Sequence, residues 1–245
     1  MEVFGIPIFV ESSFLFLLLI MALNAHSLSL GVAGALMLAV SIVAHELGHA
    51  LTAAAFGYKT RDITISLLGG CASLIALPRT AWKEFLTAIA GPAVSFLLAF
   101  MVLLVDILGI PVTNIWLASM LNWFFWMNVM LGAFNLLPGF PMDGGRVFRS
   151  VMRQFMSRVR ATYIAMMVGR IVAIGIGLRG FWNLANGGNW GFVSMLIAWM
   201  IWKEGYREYQ LAQMESSWGY EDYRARVSPP PYGGDGDESD VRRGW

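Results

Sequence analysis

Residues Gly31 to Phe56 read GVAGALMLAVSIVAHELGHALTAAAF, an apolar run broken only by Ser41, His45, Glu46, His49 and Thr52. About 20 helical residues cross the hydrocarbon core of a bilayer, so this stretch reads as a membrane span with a polar cluster inside it. The rest of the chain agrees. With 57% hydrophobic residues, 13% charged ones and a mean hydropathy of +0.61 over 245 residues, a water-soluble globule is excluded. The formal charge of +1, with basic residues spread over loops, gives no sign of a nucleic-acid partner. The single cysteine, Cys71, rules out an intramolecular disulfide framework and reads as a small filler side chain.

Working outward, six spans can be laid along the chain: Ser12 to Leu30, Gly31 to Phe56, Phe85 to Val105 with Gly91-Pro92 interrupting it, Asn114 to Leu137, Ala161 to Leu178 with Arg170 inside it, and a short one from Trp190 to Trp202. The apolar N-terminal run lacks a basic n-region and an A-x-A site, so it reads as a retained span. The expected fold is an α-helical polytopic membrane protein with a small re-entrant or interfacial β-hairpin. Residues 1–210 form the transmembrane domain, and residues 211–245 are a polar, disordered cytoplasmic tail.

Charge sets the orientation. Lys59, Arg61, Arg79 and Lys83 lie between spans two and three, Arg146 to Arg160 between spans four and five, and Lys203 to Arg243 after span six. Of all Lys and Arg, only Arg170 and Arg179 fall elsewhere. The positive-inside rule therefore places both termini in the cytoplasm, with the plasma membrane as the expected location.

The chemistry lies in the polar cluster of span two, where His45-Glu46-Leu47-Gly48-His49 is an H-E-x-x-H sequence. Two histidines four apart on a helix stand about 6 Å apart along its axis, so both imidazoles can reach one metal. Glu46 is turned about 100° from His45, beside the metal and outside its ligand set, where a general base would stand. Shuffling this composition would produce the motif about once per thousand chains, and polar groups are costly in mid-span, so they mark function.

A catalytic zinc takes three protein ligands and leaves one position open. The carboxylates near membrane depth are Asp106, at the end of span three away from the basic loops, and Asp143, just past span four on the basic side. His49 lies about 12 Å of helix from the cytoplasmic end of span two, which makes Asp143 the nearer. Pro138 and Pro141 end helical pairing after Leu137 and let the chain turn back towards the bundle.

His45-Glu46-Leu47-Gly48-His49, followed by Asn135-Leu136-Leu137-Pro138-Gly139-Phe140-Pro141-Met142-Asp143-Gly144-Gly145, resembles the paired signature of the site-2 proteases, intramembrane zinc metalloproteases of regulated intramembrane proteolysis. Gly5-Ile6-Pro7-Ile8, Leu68-Gly69-Gly70, Ala88-Ile89-Ala90-Gly91-Pro92 and Asn186-Gly187-Gly188-Asn189-Trp190 look like further landmarks, in family order over residues 1–210. The resemblance implies one zinc held by His45, His49 and Asp143, Glu46 as catalytic acid/base, and Asn135 contacting the backbone of a transmembrane protein substrate. The form is compact, with no room for a PDZ domain or a CBS pair. Where the family often carries Asn after the Gly-Pro of span three, this chain has Ser95, which puts a polar role there in doubt.

Several more features bear on architecture. Arg61 to Leu77 holds two β-type runs around Gly69-Gly70 and reads as a hairpin whose edge could straighten a substrate by strand addition. Val147, Phe148, Val151, Met152, Phe155, Met156 and Val159 fall at helical spacing with arginines opposite, which predicts an interfacial amphipathic helix. His26 reads as a hydrated histidine at a span end, Asn128 as a cleft-lining residue on the face of Asn135, and Arg170 as paired with backbone carbonyls or a polar cavity. Two other functions fit a polar cluster in a helical bundle: a zinc-binding membrane transporter and a non-proteolytic membrane scaffold. Glu46, a carboxylate beside the ligands without being one, argues against the transporter, and the complete catalytic set argues against the scaffold.

Overall fold

The computed structural model describes residues 2–3, 5–24, 28–66, 69–74, 80–188 and 191–217. His26 and residues 218–245 lie outside them. The chain runs β1 (Glu2–Val3), β2 (Ile6–Val10), α1 (Ser12–Asn24), α2 (Leu28–Ala55), β3 (Thr60–Ser66), β4 (Gly69–Leu74), α3 (Ala81–Ile107), α4 (Ile115–Asn135), α5 (Asp143–Met152), α6 (Arg158–Ala185) and α7 (Gly191–Ser217). Among the described residues, four helices, α2, α3, α4 and α6, are long and apolar enough to cross a membrane. Their outward faces carry large exposed apolar side chains such as Leu36, Val40, Phe100, Trp126 and Ile171, as a protein solvated by lipid requires. This is a multi-pass integral membrane protein. The six-span layout also needs α1, with 13 described residues, and α7, whose second half is charged; neither passes the same test of length and composition.

Pro92 does not interrupt its span. α3 continues through it, losing one backbone donor, which membrane helices tolerate where neighbouring segments pack closely. The expected hairpin is present as antiparallel β3 and β4, with Ile63 opposite Ala72 and Ile65 opposite Gly70. The N-terminal strand β2 joins it in parallel, Ile8 beside Ile63 and Val10 beside Ile65, so the sheet order is β1-β2-β3-β4. The alternating Ile6, Ile8, Ile63 and Ile65 face inward and pack with Phe14, Ile42 and Ala50. This seats the sheet against the half of α2 that carries the H-E-x-x-H sequence.

Two other expectations change. The short last span is the first half of a helix that continues to Ser217, through residues 211–217 that their polar composition assigned to the tail; α6 and α7 pack along their length, and Arg158 Nε lies 3.2 Å from Glu215. The amphipathic helix stops at Met152 and is followed by a turn, and its arginines do not all face out. Arg149 is 2% exposed, because Glu84 and Glu208 meet it from two other helices.

Candidate metal centre

The H-E-x-x-H sequence places His45 and His49 one turn apart on the buried face of α2. α5 begins at Asp143, after a loop that includes Pro138 and the cis Phe140–Pro141 peptide bond, and delivers its carboxylate to the same point. Asp143 Oδ2 lies 3.1 Å from Nε2 of His45 and 3.1 Å from Nε2 of His49. One donor atom from each of the three residues falls within 4.8 Å of the others. Donors sharing a tetrahedral zinc at about 2.0–2.1 Å stand roughly 3.3 Å apart, so this set fits the ion.

The partners on the far sides of the rings strengthen the fit. His49 Nδ1 lies 2.7 Å from the backbone carbonyl oxygen of Thr87 on α3. A carbonyl can only accept, so Nδ1 carries the proton and Nε2 presents a lone pair to the centre. His45 Nδ1 lies 2.9 Å from the Ser95 hydroxyl oxygen, also on α3, which can accept in the same way. Two imidazole lone pairs and a carboxylate then converge, and such a buried cluster repels itself unless a cation sits in it. Ser95 thus has a polar role, contrary to the doubt its identity raised.

Gly91 makes that approach possible. A β-carbon there would stand 2.7 Å from His45 Nε2 and closer still to His49, so only a residue without a side chain lets α3 lie across both imidazoles. Gly70, the second residue of β4, is similarly placed: a β-carbon would come within 2.7 Å of Glu46 Oε1. Glu46 is buried and is not among the three converging donors. Its side chain packs against the outer strand of the sheet at Gly70.

The structure also places the other residues that the sequence singled out. Asn135 is the last residue of α4, partly buried, and its Nδ2 donates to the Leu131 carbonyl at 3.0 Å, a bond within its own helix and not one to the three donors. Asn128 is fully buried and donates to Ser41 Oγ at 3.1 Å, joining α4 to α2 one turn before His45. Arg170 lies with its guanidinium 4.5 Å from the Trp202 ring of α7, a cation–π contact where backbone carbonyls or a polar cavity were expected. Asp106, the alternative carboxylate, is exposed at the far end of α3.

Sequence reasoning missed the ion cluster behind Asp143. Arg149 bridges Glu84 on α3 and Glu208 on α7, at 2.6 and 2.8 Å, and Arg153 pairs with Glu84 too. Burial opposes the charge on Arg149, but the two glutamates raise its pKa above the ordinary value; burial likewise opposes the charge on Glu208, yet Arg149 holds its carboxyl below the usual range. Deleting one partner of such a buried pair costs about 3–5 kcal/mol. An arginine within an amphipathic pattern carries no sign of which acids will meet it, and Glu84 is 65 residues away.

A helical membrane bundle with an H-E-x-x-H pair and a carboxylate closing on one point defines the class: a membrane protein with a metalloprotease-type centre. Peptidase family M50 matches residues 33–111 and 104–176, and this chain belongs to it. The chain is 31% identical to the zinc metalloprotease MJ0392 of Methanocaldococcus jannaschii over 88% of its own length and 61% of the relative's. It is 36% identical to sll0528 of Synechocystis sp., to which zinc metalloprotease activity is ascribed by name, over 82% and 56%. It thus spans a little over half the length of these curated relatives. The solved structure of a site-2 protease from Methanocaldococcus jannaschii is similar, with a TM-score of 0.64 and 29% identity, covering 85% of this chain and 93% of that one.

Proposed function

We propose that this chain is an intramembrane zinc metalloprotease of the site-2 type, which hydrolyses a peptide bond in or near the transmembrane segment of a membrane-protein substrate. The observation that carries the reading is the convergence of His45, His49 and Asp143 inside the bundle, with Glu46 beside them and outside the set. The names of the relatives point the same way.

In this reading His45, His49 and Asp143 hold one zinc. When bound, the ion supplies a Lewis acid and brings the pKa of a water towards neutrality. Thr87 and Ser95 keep the imidazoles turned so that Nε2 faces the centre. Glu46 takes a proton from the attacking water and returns it to the leaving amine. A substrate unwound into an extended strand pairs along β4, whose Gly70 borders Glu46, and Asn135 contacts its backbone. Both termini are cytoplasmic, the membrane is the plasma membrane, and water enters from the cytoplasmic face where the basic loops lie.

The test is cleavage of a tagged single-span substrate by the purified chain in liposomes, with zinc measured on the same samples. Glu46→Gln keeps its zinc and loses about 10²–10⁴ in rate. Asp143→Asn loses zinc as well as activity, because an amide is the poorer ligand. Undiminished cleavage by Glu46→Gln removes that residue from the mechanism, and loss of zinc from it recasts Glu46 as a ligand.

A further inference from the structure

Arg149 stands six residues after Asp143 on the short helix α5 and touches three separate parts of the chain. Its Nε donates to Glu84 Oε1 at 2.8 Å and its Nη1 to Glu208 Oε2 at 2.8 Å, while the guanidinium carbon stands 5.0 Å from the centroid of the Phe140 ring. Arg153 pairs with the other Glu84 oxygen. Two of the three contacts lead back to the metal centre, and the third leads to α7. Glu84 lies three residues, just under one helical turn, before Thr87, whose carbonyl orients His49. Phe140 is three residues before Asp143, in the loop that delivers it. Glu208 belongs to the charged half of α7, beyond any apolar span.

α5 has only 10 residues, and its sequence neighbours on both sides are turns, so its own length does not fix where its first residue points. A planar guanidinium paired with two carboxylates tolerates little rotation or sliding. Such a buried network is often no more stabilising than apolar packing of the same volume, and register is its best-attested use.

We infer that Arg149 is a positioning residue for Asp143: the Glu84–Arg149–Glu208 bridge, stacked on Phe140, sets where the Asp143 carboxylate stands relative to His45 and His49. It thereby couples α7 to the metal centre. The inference rests on the reading of Asp143 as a zinc ligand.

The experiment uses the full chain in detergent, with zinc affinity read by competition with a chromogenic chelator, the unfolding midpoint on the same samples, and kcat and KM on the tagged substrate. Arg149→Lys keeps the charge and loses the fork; Glu208→Gln keeps the shape and loses the charge. Both weaken zinc affinity about tenfold, within the range for groups that hold metal ligands in place, and lower kcat with KM unchanged. Glu215→Gln, which breaks the Arg158 ion pair between α6 and α7 without touching α5, leaves zinc affinity at the parent value. Should Arg149→Lys fail to fold, Glu208→Gln carries the comparison. Parent zinc affinity and kcat in the bridge variants, with only a lower unfolding midpoint, overturn the inference, as does equal weakening by Glu215→Gln. Asp143→Asn separates the two levels: if it retains parent zinc affinity, the ligand reading fails, and if it alone loses zinc, the ligand reading stands and the positioning role falls.

Discussion

His49 Nδ1 and the Thr87 carbonyl oxygen lie 2.7 Å apart, so a backbone atom of α3 decides which nitrogen of a histidine on α2 faces the metal centre. The histidine half of the centre is set by two helices pressed together, and α3 is as much a part of it as the helix that carries the motif, while α5 brings Asp143. That relationship predicts effects from residues that never touch a metal.

Gly91 is the point of closest approach, and any side chain there meets both imidazoles. Gly91→Ala forces α3 away from α2 and is expected to abolish near-stoichiometric zinc binding. Metal analysis of the purified variant, alongside a His45→Ala/His49→Ala double variant as the zero, checks this; parent zinc content in Gly91→Ala contradicts the close packing.

Ser95 holds His45 as Thr87 holds His49, but through a side chain that can be removed. Ser95→Ala is expected to weaken zinc affinity about 10- to 100-fold and to leave the helices assembled. Chelator competition followed against circular dichroism separates the two effects, and an unchanged affinity means His45 needs no such partner.

Gly70 borders the Glu46 side chain and none of the three donor atoms is among its nearest neighbours. Gly70→Ala displaces the carboxylate or the strand, so turnover is expected to fall about 10²-fold or more while zinc stays bound, the range for losing general acid/base help. A variant that loses zinc in proportion to activity would show that Gly70 supports the ligands and not the base.

The distribution of Lys and Arg sets the topology prediction. Gln154, exposed in the turn before α6, and Asn186, exposed at its far end, lie on opposite sides of the membrane if α6 crosses it. On a Cys71→Ser background, a cysteine at residue 154 is expected to resist an impermeant thiol reagent added to intact cells, and one at residue 186 to react. The reverse pattern places the basic loops outside and closes the cytoplasmic water route.

By itself the sequence determined the features that depend on local composition and short-range geometry. The apolar runs name lipid as the solvent, the spacing of His45 and His49 puts both rings on one helical face, and two neighbouring β-type runs make a hairpin, because each rests on residues a few positions apart; the expected Gly69-Gly70 turn is instead the start of β4, paired with Ser66 and Ile65. Asp143 was legible as the nearer carboxylate from its depth alone. Tertiary structure decided the features that depend on which distant groups meet. Ser95 reaches His45 because Gly91 lets α3 close on α2; β2 adds to β3 in parallel because its isoleucines share a core with Ile63 and Ile65. Arg149 turns inward although its helix is amphipathic, since a buried charge is tolerated only where opposite charges converge on it, and Glu84 and Glu208 are brought there by two other helices. Hydropathy records the average surroundings a side chain prefers, whereas the partner it finds is set by the packing of the whole chain.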